Sequence, residues 1–205
     1  MKLNVPFYKQ PDNKTCGIAC VKMVLDFYKH HMPFKAILLG IKRGPDGQSY
    51  LPDLGNFFLN HGFKATIMLW HNILPAQYSG MGNDEALATL SNIGQTNVGS
   101  YSTSIHKQYK TFCDNGGKFF IRNLTLRLLE TSIVKMEPPI MILDIDALHY
   151  RSYRYMNSLH AVVLQSMGNK NLAILDPLFS HPRIYRKRFI KNVLNHNGAL
   201  LFVSR

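Results

Sequence analysis

The 205-residue sequence predicts an α+β fold, because apolar stretches at helical spacing gather in its first half and short apolar stretches suited to antiparallel strands in its second. Its content of 46% hydrophobic and 18% charged residues is ordinary for a soluble globular chain. Its length suits one domain over 1–205 with a substantial core.

Residues 3–8 read as a short extended lead-in, with Pro6 suited to an edge or a turn. A polar, turn-rich run (Pro11, Asp12, Asn13, Lys14, Thr15) then gives way to Cys16-Gly17 and an apolar stretch. Val21, Leu25 and Tyr28 recur at helical spacing, as do Cys20, Val24 and Phe27. That spacing predicts a buried helix over 16–29, stopping near His30-His31-Met32-Pro33. A second short helix over 34–41 is closed by Gly40. After the loop Gly44-Pro45-Asp46-Gly47, Leu51-Pro52-Asp53-Leu54 suits a helix start. Gly62 stands in the usual place past a helix over 54–60, and 63–70 (FKATIMLW) alternate as a strand.

Residues 71–117 carry the weakest pattern. A helix over 83–93 is opened by Asp84 and Glu85 and closed by Gly94. Gly80, Gly82, Gly99, Gly116 and Gly117, among Ser, Thr and Asn, predict long loops around little regular structure. A helix over 121–135 follows, where Leu124, Leu128 and Leu129 are spaced to pack on a sheet, and Pro138-Pro139 ends it. Strands are predicted at 140–143, 159–165 and 172–175, the last two joined by a hairpin turn at 167–171 and closed by Asp176-Pro177. A polar, aromatic connection covers 144–157. A basic helix over 187–194 and a strand over 199–203 complete the chain.

The chemistry centres on Cys16. A thiol in the first turn of a helix faces unpaired N–H groups and the positive end of the dipole, which lower its pKa and favour the attacking thiolate. Taken alone, Cys16 reads as a buried apolar residue, since cysteine is among the most buried types. Gln10 lies six residues upstream, where its amide can fold back beside the sulfur as an oxyanion-hole donor. His160 begins an apolar strand (LHAVVLQ) and Asp176 ends the strand predicted to pair with it. A carboxylate there fixes the imidazole tautomer and stabilises the imidazolium. Their bland readings are a core histidine and a turn residue before proline. Asp144 and Asp146 are alternative orienting carboxylates. His149 and His181 are candidate substrate contacts, and Cys113 reads as a loop thiol with no helix behind it.

In combination, Gln-x5-Cys-Gly before a helix, then His-Ala-Val-Val-Leu, then a strand ending Asp-Pro, resembles the peptidase C39 and C39-like group of papain-fold cysteine proteases. Val5-Pro6, Cys16-Gly17-Ile18-Ala19-Cys20, Leu51-Pro52-Asp53-Leu54, Gly62-Phe63 and Pro138-Pro139-Ile140 extend the similarity. It spans about 3–70 and 120–178 and leaves 71–117 as an uncovered insertion. The resemblance implies a papain-like fold, with the cysteine helix packed on an antiparallel sheet. It also implies Cys16 as nucleophile, His160 as general base and acid, Asp176 as orienting residue and Gln10 as oxyanion donor, with Cys20 structural. C39 domains proper sit on ABC transporters and cut double-glycine leaders. This chain has no apolar stretch long enough to span a membrane and no G-x4-G-K-[ST], so the stand-alone C39-like proteins fit better. The implied reaction is acyl transfer to or from a peptide or protein substrate, with deamidases and transglutaminases as neighbours on the same triad.

Lys and Arg number 24 against 12 Asp and Glu, for a net charge of +12. Such a balance favours nucleic acid, an anionic membrane surface or an acidic partner. The run 183–191, with Arg183, Arg186, Lys187, Arg188 and Lys191 among aromatic residues, is the one argument for a non-enzymatic binding module. It reads better as the solvated face of an amphipathic helix, or as a recruiting patch for an acidic substrate. Three cysteines argue against a disulfide scaffold and for a reducing compartment. Cys-x3-Cys without a second pair is no zinc spacing, and no H-E-x-x-H is found, so neither metal nor cofactor is expected. MKLNVPFYKQ lacks a signal-peptide core, so the expected location is cytoplasmic and the mature protein this whole chain. Non-classical secretion leaves no mark in such a sequence.

Overall fold

A computed structural model of the protein describes residues 1–71, 82–95, 103–144 and 159–205. Along the chain run α1 (Cys16–Phe27), α2 (Phe34–Gly40), α3 (Leu51–Asn60), β1 (Lys64–His71), α4 (Asn83–Gln95), α5 (Thr103–Asp114) and β2 (Lys118–Ile121). Then come α6 (Leu126–Val134), β3 (Ile140–Asp144), β4 (Leu159–Met167), β5 (Asn171–Leu175), β6 (Arg183–Arg186), α7 (Lys187–Asn197) and β7 (Gly198–Ser204). One sheet takes the order β2-β1-β7-β3-β4-β5-β6. Its neighbours are antiparallel except β1 and β2, which run parallel. The last strand in sequence thus lies between β1 and β3, near the middle of the sheet.

The helix α1 packs on β4 and against α2 and α3. Ile18, Ala19, Cys20, Val21, Met23, Val24 and Leu25 are all buried, and only a narrow polar side with the Lys22–Asp26 pair is partly exposed, as suits a helix lying mostly in the interior. Its N-terminal end meets α3 closely at Gly17, where an added Cβ would stand 3.0 Å from Leu54 Cδ1. Asp53 stands in the first turn of α3, where its carboxylate lies near the Tyr50 N–H, the position of the acidic residue in a capping box. Burial lifts the Asp53 carboxyl to about 6 in spite of that N–H and the nearby Lys42 charge.

Helix ends follow one device. His30 N–H reaches Leu25 O and Lys29 N–H reaches Asp26 O past α1, and the same pair of bonds recurs past α3, α5 and α6. The residue in the left-handed position is Gly62 past α3 and Gly116 past α5, but Lys29 (φ 59°) past α1 and Met136 (φ 60°) past α6. A left-handed conformation costs an ordinary L-residue about 1 kcal/mol. Lys29→Gly is therefore expected to raise stability by up to about 1 kcal/mol, read as a higher urea midpoint at unchanged slope; a lowered midpoint would mean that the Lys29 side chain itself stabilises the fold.

Several sequence expectations needed correction. The helix expected over 83–93 is present as α4, but the stretch 71–117 is richer in structure than its glycines predict, since α5 also lies in it and β2 follows directly. The α5 face that packs inward is Tyr109 and Phe112, and the Phe112 ring lies within 2.5 Å of where a Cβ on Gly55 would stand. Of the glycines counted as loop formers, Gly116 closes α5 in the left-handed region and Gly117 makes room for that ring. Cys113 is no loop thiol but sits in the last turn of α5. The helix predicted over 121–135 is shorter, because Ile121 ends β2. The basic run begins with a strand, β6, before α7. Among the described residues no helix is long and apolar enough to cross a membrane.

Candidate active site

Three segments converge at one end of β4. The first is the loop 10–15 with the opening turn of α1. The Asp12 carbonyl accepts Gln10 Nε2 (2.6 Å) and the Thr15 hydroxyl (3.3 Å), and its carboxylate accepts the Lys14 N–H (2.8 Å). These bonds fold the loop tightly enough to leave Cys16 as the first residue of α1, after Thr15. The second is the start of β4, where His160 is 4% exposed. The third is the end of β5, where Asp176 is fully buried.

The hairpin of β4 and β5 aligns Val163 with Leu175, so Asp176 lies one position beyond the paired residues, on the His160 side. Asp176 Oδ1 meets His160 Nε2 at 2.7 Å and also accepts the Leu178 N–H at 3.0 Å. Asp176 is therefore both the turn residue that its place before proline suggests and the partner of the imidazole. With Nε2 so held, Nδ1 is the nitrogen left for the Cys16 thiol, with which His160 also hydrogen-bonds. Gln10 is 7% exposed, and its N–H donates to the Pro177 carbonyl at 3.0 Å, which ties the loop 10–15 to the turn after Asp176. The Gln10 side-chain NH2 has two hydrogens, and Asp12 takes one.

The electrostatics set Cys16 apart from the other thiols. Burial alone would push the Cys16 thiol up. The hydrogen bond and positive charge of His160, with the Ala161 and Gly17 backbone N–H groups, outweigh it and bring the thiol below its ordinary value. Cys20, one turn further along α1, is driven far upward by burial and by the negative charges of Cys16 and Asp176. Burial and Asp114 raise Cys113 to about 11. Burial would lower the His160 pKa, but the hydrogen bonds to Asp176 and Cys16 and their charges hold it at about 9. Both shifts favour the thiolate–imidazolium form of the pair over the neutral one.

The structure thus brings Cys16, His160 and Asp176 into contact and hangs Gln10 on the same turn. Asp144 ends β3 opposite Leu159 in the ladder, and Asp176 holds the ring nitrogen. His181 is exposed. Asp146 and His149 lie outside the described residues. What sequence reasoning missed was main chain: the Gly17 and Ala161 N–H groups at the sulfur and the Pro177 carbonyl that anchors Gln10. Backbone groups leave no mark in residue identity.

Residues 4–70 match the sequence model of the peptidase C39 family. Among solved structures, a double-glycine-motif protease of an AMS/PCAT transporter, crystallised with a leader peptide, superposes with a TM-score of 0.54 at 16% identity, over 100% of this chain and 94% of that one. The chain has the fold of a C39 peptidase domain. Two more C39 domains agree. The peptidase domain of Streptococcus ComA, a bifunctional ABC transporter in quorum sensing, gives 0.53 at 13% identity over 98% of both chains. A Bacillus anthracis protein assigned as a C39-like peptidase gives 0.57 at 13% identity, over 100% and 98%. No curated protein sequence matches. The C39 family match covers α1, which carries the cysteine, and stops before the histidine strand.

Proposed function

We propose that the protein is a cysteine peptidase in which Cys16, His160, Asp176 and Gln10 perform acyl transfer. The 2.7 Å contact between His160 Nε2 and Asp176 Oδ1, with Cys16 on the other side of the ring, carries the reading. Cys16 Sγ attacks the carbonyl carbon of a peptide bond, and the carbonyl π pair moves onto oxygen. The second Gln10 Nε2 hydrogen and the N–H groups at the start of α1 stabilise that oxyanion. As the intermediate collapses, the C–N bond breaks and the departing amine takes the proton from the His160 imidazolium, leaving a thioester. His160 then accepts a proton from water as the water oxygen attacks. Breaking of the C–S bond releases the acid and regenerates the thiolate, and Asp176 holds the ring throughout.

The substrate class that fits is a peptide or protein chain, as in the leader-bound C39 protease to which this fold is similar. The test is mass spectrometry of a peptide library after incubation with wild type and with Cys16→Ala. New termini that appear only with wild type are expected. A gain of about 1 Da on intact glutamine-containing peptides would assign the site to deamidation instead, since acyl transfer to water there replaces NH2 with OH.

A further inference from the structure

The basic run 183–191 is not used by the chemistry above, and its placement gives it a role. β6 ends the sheet, and among the described residues no strand pairs with its outer side. The Lys187 N–H donates to the Lys170 carbonyl at 2.9 Å, in register with the pairs Arg186–Asn171 to Arg183–Ile174. Antiparallel ladders alternate bonded and non-bonded pairs. The N–H and C=O of Tyr185 and Arg183 therefore face β5, and those of Ile184 and Arg186 face outward. Ile184 is 72% exposed, while Lys170, Arg186, Arg188 and Lys191 are exposed along the same border. Glu130 pairs with Lys187 Nζ at 2.7 Å and leaves the net charge of the border positive.

We propose that the open edge of β6 is an exosite that adds an acidic, extended peptide segment as an eighth strand. The proposal rests on the peptidase reading only for the claim that the segment belongs to a substrate. Such an edge supplies main-chain bonds for affinity, Ile184 an apolar contact, and the cations their charge complement. Nucleic acid fits less well, because bases stack on open aromatic faces and Tyr185 and Phe189 are half-buried and stacked on each other at 5.7 Å. A membrane fits less well too, because the apolar residues Ile190, Val193 and Leu194 of α7 are buried in the protein core.

The edge also points at the chemistry. The Arg183 end of β6 faces Ile174, two residues before Asp176. Strands lie about 4.8 Å apart, so an added strand runs about 14 Å from β4, a gap that about four or five extended residues cross. The exosite segment and the scissile bond are therefore expected to be about that far apart in the substrate.

The test uses the full chain carrying Cys16→Ala, so binding is read without turnover and a failed peptidase reading leaves the measurement intact. The probes are fluorescein-labelled Glu-Val-Glu-Val-Glu-Val-Glu-Val, its Gln-Val counterpart, and the acidic peptide N-methylated on alternate residues, followed by anisotropy. We expect the acidic peptide to bind at least about tenfold more tightly than the other two in low salt, and to weaken as salt rises. Ile184→Pro removes an outward N–H and leaves the ladder to β5 intact, so it should weaken binding about tenfold. Arg186→Glu with Arg188→Glu should do the same. Equal binding of the acidic and neutral peptides, or undiminished binding of the N-methylated one, overturns the proposal. So does tighter binding of a single-stranded RNA 15-mer or of phosphatidylserine vesicles that Ile184→Pro does not alter. The N-methylated peptide decides the question even where a protein variant fails to fold.

Discussion

Iodoacetamide should alkylate Cys16 at pH 6.5 far faster than Cys20 or Cys113, and His160→Ala should slow that reaction by about 100-fold or more. The size follows from the thiolate population. An ordinary thiol with a pKa near 8.5 is about 1% thiolate at that pH. In the native site His160 supplies both the hydrogen bond and the charge that offset burial. Without the imidazole, burial remains and the thiol returns to its ordinary value or rises above it. Cys20 and Cys113 serve as internal controls, because both are shifted upward and neither depends on His160. Peptide hydrolysis should fall further, by about a thousandfold or more in His160→Ala and in Cys16→Ala alike, since members of one catalytic unit fail together. A Cys16 that reacts no faster than Cys113, or that ignores the loss of His160, would remove the basis for the catalytic reading.

Asp176 should give two distinct results according to its replacement. Asp176→Ala removes the buried partner of Nε2 and the acceptor of the Leu178 N–H, so the ring is free to turn and the turn after β5 loosens. A loss of about 100-fold or more in kcat/KM is expected, within the range for misplaced triad imidazoles. Asp176→Asn keeps an oxygen where Oδ1 stands, loses the charge and puts an NH2 in place of Oδ2. It should retain much of the activity and change the pH profile instead. The sign follows from the direction of the shift. His160 is raised to about 9 from an ordinary value near 6.5, so its positive charge is present in full below 6.5 and is lost as pH rises through about 9. Activity that needs the imidazolium therefore has its alkaline limb near 9, and removal of the Asp176 charge must move that limb to lower pH. An alkaline limb that stays in place in Asp176→Asn would mean that another group sets it.

Fold class and the site were legible for different reasons. Cys16, His160 and Asp176 could be read because each sits at the border of a regular apolar stretch, where a polar residue interrupts a periodic pattern: before the α1 helix, at the head of LHAVVLQ and after NLAIL. The β4–β5 hairpin then turned sequence separation into proximity. Within 71–117 the same logic found α4 and missed α5. Helix α5 has Thr, Ser, His, Lys and Gln on most of its faces, and it is held by Tyr109 against the Phe119 ring and by Phe112 seated against Gly55, far away in sequence, and Gly117. Tertiary packing of that kind overrides local composition. The strand β6 was missed because Arg183, Tyr185 and Arg186 read as the start of a basic helix, and four residues at a sheet edge carry too few alternations to contradict it.

The place of β7 bears on how the protein comes to be assembled. Residues 198–204 bond to β1 on one side and β3 on the other, and among the described residues no other strand links the β1–β2 pair to the β3–β6 block. A ribosome that has released only the first 197 residues holds two sheet fragments with no backbone bond between them. The nascent chain already carries Cys16, His160 and Asp176, yet the sheet beneath them closes only when β7 adds. Synthesis order thus places completion of the sheet after Cys16, His160 and Asp176 have all been made.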